Sequence, residues 1–456
     1  MSILNNALSG ALASQLALSA SSQNIANLQT KGYTRQSALL TAAAPSAGSN
    51  GAGNGVRVTS LLRFSDSYKT QQLWSTNSEL GARSQTQPYM TQLEQVMGDD
   101  ESSLSSGVDN FFASLNAVAG VDPTSTPLRQ QVVTAGSLLA QRFNSLNNVF
   151  NAQLQSVRQQ RSALVDSANS AIASIASLNA QIANANAVGS NASSLIDTRD
   201  QAIDSLANMM ALEVSDQADG TRNVSLKTGQ SLVLGNVAGT LTVSGGSNQT
   251  FGLSFAGTSF TLDPAKAGGQ LGGLSSYVDE TLKPLQQGVA EMAQKIADKV
   301  NSQLAAGYAM DGTQGKPMFV YTPGNTSNML QVADGFQTAD LAFSGDGNAG
   351  DTGNLQKLVD IKNQSITVTG LGTVLIGDAD TQLVGQLAVQ SQQNQSALTT
   401  AQSMRDQADA DWQSTSGVNQ DEEAVNLVEY QNMYQANMKV MSVANALFDA
   451  TLAMMG

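Results

Sequence analysis

Acidic side chains supply nearly all the chemistry this sequence could offer, because it contains neither histidine nor cysteine. The commonest general base and metal ligand are therefore missing, together with any thiolate nucleophile or disulfide. Asp421-Glu422-Glu423 is the densest carboxylate run. Consecutive helical residues point in different directions, so the run forms no facing acid–base pair, and acids in a first turn are what the helix dipole favours. Asp197, Asp200 and Asp204 surround Arg199. With a cation among them and no other hard ligand nearby, they read as a solvated, partly paired helix face. Asp346-Gly347-Asn348-Ala349-Gly350-Asp351 has the ingredients of a calcium loop. Gly350 nevertheless fills the fifth position, Asp351 stands where the turn glycine belongs, and no Glu closes it. A turn-rich connector is the better reading. Gly370-Leu371-Gly372 and the glycine-rich run at 48–55 lack the strand–glycine–helix spacing of a phosphate cradle. The expectation is a structural protein with no catalytic residue, metal or cofactor; a hydrolase hidden in residues 307–377 is the enzymatic alternative.

Composition narrows the partners. At 456 residues the chain has room for two to four domains and a sizeable core. Charged residues make up 13%, about half the usual share, and Asn, Gln, Ser and Thr take their place. Such a surface favours close protein–protein contact. A net charge of −14 argues against nucleic acid and against anionic lipid. No apolar run approaches the roughly 18 residues of a membrane span. The first basic residue is Lys31, so no basic region precedes an apolar core as a secretory signal requires.

The elements that must position these residues are mostly helices. Residues 2–28 place Leu4, Leu8, Ala11, Leu18 and Ile25 in a 4-3 register, widened by Leu12 and Leu16, and Lys31-Gly32 makes a stop. Residues 41–55 read as a mobile loop, and Val56-Arg57-Val58-Thr59 alternates as a short strand. Helical pattern covers 67–98, then a long stretch ending near 187 in which Phe143, Leu146, Phe150, Val157, Ile172, Ile175 and Ile182 keep a period near 3.5. Between 211 and 272 the texture is strand and turn, with strands at 223–226, 231–234, 240–243 and 258–262. Helices follow at 274–305, with Pro284 near its first turns, and at 381–414, flanking a mixed stretch at 307–377. The last helix, 421–455, starts behind Asn419 as cap with Glu422 as its reciprocal partner, and carries Leu427, Tyr434, Met438, Met441, Phe448, Leu452 and Met455 on one stripe.

The predicted fold is mainly α with a β insertion: a long coiled-coil-like helical hairpin built from both chain ends, carrying a smaller outer β domain. The boundaries implied are 1–36 plus 419–456 for an inner terminal-helix domain, 37–210 plus 273–418 for a rod, and 211–272 for the β domain. No Asp or Glu precedes Asp66, whereas Lys31, Arg35, Arg57 and Arg63 do; the last 36 residues hold Asp421, Glu422, Glu423, Glu429 and Asp449 against Lys439. The ends are thus of opposite charge, and a lone amphipathic helix is only marginal in water. Their stripes must meet each other or other chains.

The residues at the ends also carry a resemblance. Ala7-Leu8-Ser9-Gly10, Ser22-Gln23-Asn24-Ile25-Ala26-Asn27 and Gly32-Tyr33-Thr34-Arg35-Gln36 resemble the N-terminal signature of the flagellar axial family of rod, hook and hook-associated proteins. Gln29 and Lys31 stand where that signature has Asn and Pro. Ser416-Gly417-Val418-Asn419-Gln420-Asp421-Glu422-Glu423-Ala424, with Tyr430-Gln431, Tyr434-Gln435-Ala436-Asn437 and Ala446-Leu447-Phe448-Asp449, is similar to the matching C-terminal signature. Gly55-Val56-Arg57-Val58, Phe111-Phe112, Pro127-Leu128-Arg129-Gln130, Leu195-Ile196-Asp197-Thr198-Arg199-Asp200 and Gly268-Gly269-Gln270-Leu271-Gly272-Gly273-Leu274 are similar to the hook-associated protein 1 branch, which joins hook to filament. The resemblance implies an assembly interface at Leu4, Leu8, Ala11, Leu18 and Ile25 and a signature turn at Asn24, Asn27, Gly32 and Tyr33. It implies a second interface, also read by an export chaperone, at Leu427, Tyr430, Tyr434, Met438, Met441, Phe448 and Leu452. Implied partners are the hook protein, the second junction protein and further copies in a ring, reached by type III export without signal cleavage. The alternatives are another axial component (the second junction protein, flagellin or a rod protein) or a type III secreted coiled-coil effector.

Overall fold

The computed structural model describes residues 2–44, 53–99, 103–246 and 248–455. Much of the loop expected at 41–55, and of the glycine run at 48–55, lies outside the described residues. The helices are α1 (Ser2–Ala26), α2 (Ser67–Met97), α3 (Leu104–Val121), α4 (Thr126–Ala187), α5 (Ser193–Met209), α6 (Gly269–Ser276), α7 (Lys283–Ala305), α8 (Gly353–Asp360), α9 (Ala379–Ser416) and α10 (Gln420–Met455). None of them is long and apolar enough to cross a membrane. The strands are β1 (Gln36–Ala42), β2 (Val56–Arg63), β3 (Leu212–Asp216), β4 (Arg222–Leu226), β5 (Ser231–Leu234), β6 (Val237–Ala238), β7 (Thr240–Ser244), β8 (Thr250–Phe255), β9 (Thr258–Leu262), β10 (Phe319–Tyr321), β11 (Leu330–Val332), β12 (Ser365–Val368) and β13 (Gly372–Leu375). The fold is mainly α with a smaller strand-containing region.

The backbone of the molecule is α4, 62 residues and about 90 Å long. A proline in its first turn costs no hydrogen bond there. Its buried positions step by three and four from Val132 through Leu139, Phe143, Leu146, Phe150 and Val157 to Val165, Ile172, Ile175 and Ile182. That unbroken stripe serves two cores. One joins the N-terminal half of α4 to the ends of α2 and α9 and to α3, α7 and β10–β13. The other joins its C-terminal half to α5, α6, Trp74, β3–β5 and β7–β9. The insertion at 211–272 therefore has no core of its own: Val224, Leu232 and Leu253 pack with Ile172, Ile175, Ile203 and Leu206. Its strands form two antiparallel sheets, ordered β3-β4-β5-β6 and β7-β8-β9.

Strands are fixed to helices by a repeated device. Asn24 on α1 accepts the Gln36 N–H at 3.1 Å and donates to the Gln36 carbonyl at 2.8 Å. Asn144, Asn169 and Asn179 on α4 do the same to Leu330, Leu241 and Arg222. Asn301 on α7 does so to Phe319. Each amide presents one acceptor and one donor at the spacing of a neighbouring strand, so it satisfies both backbone groups of a strand residue that faces a helix.

Two sequence expectations are corrected. The helix expected from 274 begins at Gly269, and α6 runs through a π-helical turn, Tyr277–Leu282, into α7. Pro284 therefore sits inside a continuous helix; it follows the wider turn, where its missing N–H and its ring are accommodated. The strand at 56–59 is half of a hairpin with β1, whose sequence Gln-Ser-Ala-Leu-Leu-Thr-Ala carries no alternation.

The glycines at 268–273 make α6 possible. Gly268 and Gly269 have φ of 66° and 56°, and a Cβ on Gly269 would lie 2.4 Å from the Met209–Met210 backbone. A Cβ on Gly273 would lie 2.4 Å from the Ala82 carbonyl oxygen on α2. Gly273→Ala is expected to lower stability in urea by about 1–3 kcal/mol. Asn169→Asp, which keeps the acceptor and replaces the donor, should likewise cost about 1–3 kcal/mol through the stranded Leu241 carbonyl, with Asn169→Gln failing to restore it.

Candidate assembly interface

Both chain ends enter the rod at one joint. Beyond α1 the chain turns through residues 27–35, and Asn24 holds that turn, its Oδ1 also accepting the Tyr33 hydroxyl at 2.9 Å. Asn27 donates to the Gln23 carbonyl and accepts from the Thr30 hydroxyl. Gly32 takes φ of 75° against the Gln201 side chain, where a Cβ would meet Nε2 at 2.7 Å. Burial first, and then the negative charge of Asp197, push the Tyr33 hydroxyl up to about 12. Each residue of the signature turn thus closes a backbone or side-chain contact within it or against α5.

Asp197 ties the turn to the rod. One oxygen accepts the Thr34 N–H at 3.2 Å; the other accepts Nε and Nη2 of Arg63, at 3.0 and 2.7 Å. Asp200 meets Arg63, Arg199 and Arg222, and Asp204 binds Arg405 of α9 through both oxygens at 3.0 and 2.9 Å. The solvated helix face expected here is thereby corrected. The carboxylates of Asp197 and Asp200 are only 9% and 14% exposed, because α5 is enclosed by β2, β4 and α9, each of which brings an arginine. Burial lowers the Arg199 guanidinium to about 10.

The C-terminal helix starts beside the same turn. The Arg35 N–H donates to the Ser416 carbonyl at 2.8 Å, and its guanidinium stacks on Phe64. Asn419 Oδ1 accepts the N–H groups of Asp421 and Glu422, at 3.0 and 3.4 Å. Glu422 does not turn back as the reciprocal capping partner: its carboxylate pairs with Arg35, a full charge offering more than the neutral Asn419 N–H. The connector at 346–351 uses its acids in turns, Asp346 accepting from Asn348 and Asp351 from Gly345 and Gly353. Among the described residues no three or more acids are grouped to hold a metal ion.

Beyond the joint, α1 lies against α10 and the β1–β2 hairpin. It buries its small residues: Ala7, Ala11, Ser14, Ala17 and Ser21. Gly10 faces Asn437, whose Oδ1 would lie 2.5 Å from an added Cβ. Of the leucine stripe, Leu4, Leu18 and Ile25 are half-buried, whereas Leu8, Leu12 and Leu16 are 46%, 57% and 38% exposed. On α10, Leu427, Tyr430, Tyr434 and Met441 are half-buried and Met438, Phe448 and Leu452 are exposed; the Met455 side chain is outside the described residues. Glu423 is the one buried side chain among the described residues of this helix.

Arg63→Met should lower stability by about 3 kcal/mol at neutral pH, because it leaves Asp197 buried without its cation. Burial raises the Asp197 carboxyl above its ordinary value, Arg63 and the Thr34 bonds opposing this. A raised folded-state pKa adds stability below the unfolded value that is lost as pH rises through the folded one. The deficit of the variant should therefore shrink as pH falls toward 4, as read from urea midpoints across pH.

Residues 90–319 match the flagellar hook-associated protein FlgK helical domain, and residues 412–454 match the C-terminal domain of the flagellar basal body rod FlgEFG proteins. Flagellar hook-associated protein 1 of Escherichia coli (strain K12) is 28% identical over 547 aligned residues, covering 99% of each chain. That of Bacillus subtilis (strain 168) is 27% identical over 489, covering 97% of this chain and 96% of the other. The solved structure of the flagellar hook junction protein FlgK from Burkholderia pseudomallei superposes with a TM-score of 0.51 at 28% identity, over 55% of this chain and 47% of that one. With half its length inside the helical-domain match and relatives aligned end to end, this chain belongs to the flagellar hook-associated protein FlgK family.

Proposed function

We propose that this chain is a structural adaptor at the junction of hook and filament, required for motility, and that it assembles through coiled coils between the terminal helices of neighbouring copies. The observation that carries the reading is the state of α10: a 36-residue helix with one buried side chain among those described. Val425, Val428, Val443, Leu447, Phe448 and Leu452 are each more than half exposed. Covering one such side chain contributes about 1.5–3 kcal/mol, and α1 alone covers little of this surface. A helix held along one side gains its stable packing on docking, so ordering and assembly are coupled. That coupling keeps copies apart before they reach the hook end.

In this reading residues 1–36 and 419–456 form the inner domain, 37–210 and 273–418 the rod, and 211–272 an outward-facing unit that borrows its core from the rod. The partners are further copies in a ring, the hook protein below, the second junction protein above, and an export chaperone that shields α10 until delivery by the type III route. The chemistry of the surface supports protein contact: Asp197, Asp200 and Asp204 of the joint are paired with arginines, and the acids of the 346–351 connector serve its own turns.

Deletion of 421–456 in the source bacterium tests the proposal. Both hydrophobic cores lie between residues 74 and 387, so the rod should still fold and melt cooperatively. The expected phenotype is an intact hook that fails to hold a filament. Normal swimming by that strain would overturn the reading.

A further inference from the structure

The β1–β2 hairpin exposes apolar side chains that its own chain leaves uncovered. Ser37, Leu39 and Thr41 stand opposite Leu62, Ser60 and Arg57, so Leu39, Leu62 and Arg57 share one face. Leu39 and Leu62 are 42% and 44% exposed, and Arg57 is exposed. A second uncovered surface lies on α10, a shallow groove lined by Ala424, Val425, Val428, Glu429, Asn432 and Met433. Val425 and Val428 are 66% and 55% exposed, and Glu429 is exposed. Neither Arg57 nor Glu429 is in an ion pair among the described residues, although nearby Arg35 and Glu422 are paired with each other. The two surfaces thus match in kind: two leucines beside a free cation, and a valine groove beside a free anion.

They do not meet within the chain, because α1 packs against both α10 and the hairpin and each surface remains in solvent. Resting on the junction reading above, we propose that the hairpin face of one copy seats in the α10 groove of the next, with Arg57 beside Glu429 of that copy. The contact is heterologous: a surface meets a different surface, leaving the complement of each free for another copy. When each copy seats on a different neighbour, such contacts propagate head to tail into rings or helical stacks, whereas reciprocal seating of two copies would stop at a dimer and give no higher multimer. Complementary charge sets the register, since the chain has no acid before Asp66 and the first 18 residues of the 421–456 segment have no base.

The absence of native cysteine makes the test clean. Leu39→Cys and Val428→Cys are placed singly and together in the full chain in the source bacterium. Flagella with their hooks are purified and treated with a short bis-maleimide, and the products are resolved under denaturing conditions. The double variant should give a ladder of dimers, trimers and higher multimers, and each single variant only monomer. A double variant recovered in wild-type amount but remaining monomeric would overturn the contact while leaving the junction role intact, as would dimers from either single variant. Absence of even the unsubstituted chain from purified hooks would overturn the junction role and the contact with it.

Discussion

An asparagine amide on a helix, paired with both backbone groups of one strand residue, fixes where β1, β4, β7, β10 and β11 lie against their helices. Strand pairs of three to five residues bury too little surface to hold a position alone. An amide offers one donor and one acceptor in a plane, which is what a strand residue presents at an unpaired edge. On α4, three such residues fix β4, β7 and β11 along the same helix. Asn301 on α7 holds β10 in the same way, and Asn24 fixes β1 to α1; that turn then carries the Tyr33 hydroxyl and the Thr34 N–H to their partners. The abundance of asparagine is therefore partly an internal property, and only in part the sticky surface that composition suggests.

The joint at Asp197 follows from that turn. Once Thr34 is placed, one carboxylate serves both a backbone donor and the Arg63 guanidinium, and the enclosed arginines of β4 and α9 need Asp200 and Asp204 in turn. Buried charges are tolerable when each is hydrogen-bonded on several sides. The consequence is mechanical: the directions in which α1 and α10 leave the rod are set by an ionic cluster, while their own packing stays thin.

Much of this was legible in the sequence, and the exceptions have particular causes. The period of α4, the limits of α9 and α10 and four of the strands follow from periodicity and turn residues, which are local. The hairpin strand β1 was not, because Gln36–Ala42 has no alternation and its partner lies some twenty residues away. On α1 periodicity marks the leucine stripe as a surface that must meet α10 or other chains, and it does not say which; the alanines and serines make the contact with α10, and Leu8, Leu12 and Leu16 stay exposed. Close approach of two helices selects small side chains, and residue hydrophobicity does not record distance. The ionic joint was seen only as a helix face, since Arg63, Arg222 and Arg405 are brought to α5 from three remote segments.

The small-residue face of α1 also explains why so much apolar surface remains outside. Two helices that meet through Ala, Ser and Gly come close but bury little area per residue, so the pair is held by geometry more than by hydrophobic gain. Their larger side chains, Leu8, Leu12 and Leu16 on one helix and valines, methionines and Phe448 on the other, then point away from the contact. Had the leucines packed inward, the pair would be a stable closed hairpin with nothing left for neighbours. Placing the small residues inside and the large ones outside divides the two surfaces: the chain's own contact sets the orientation of the helices, and their larger apolar side chains stay in solvent.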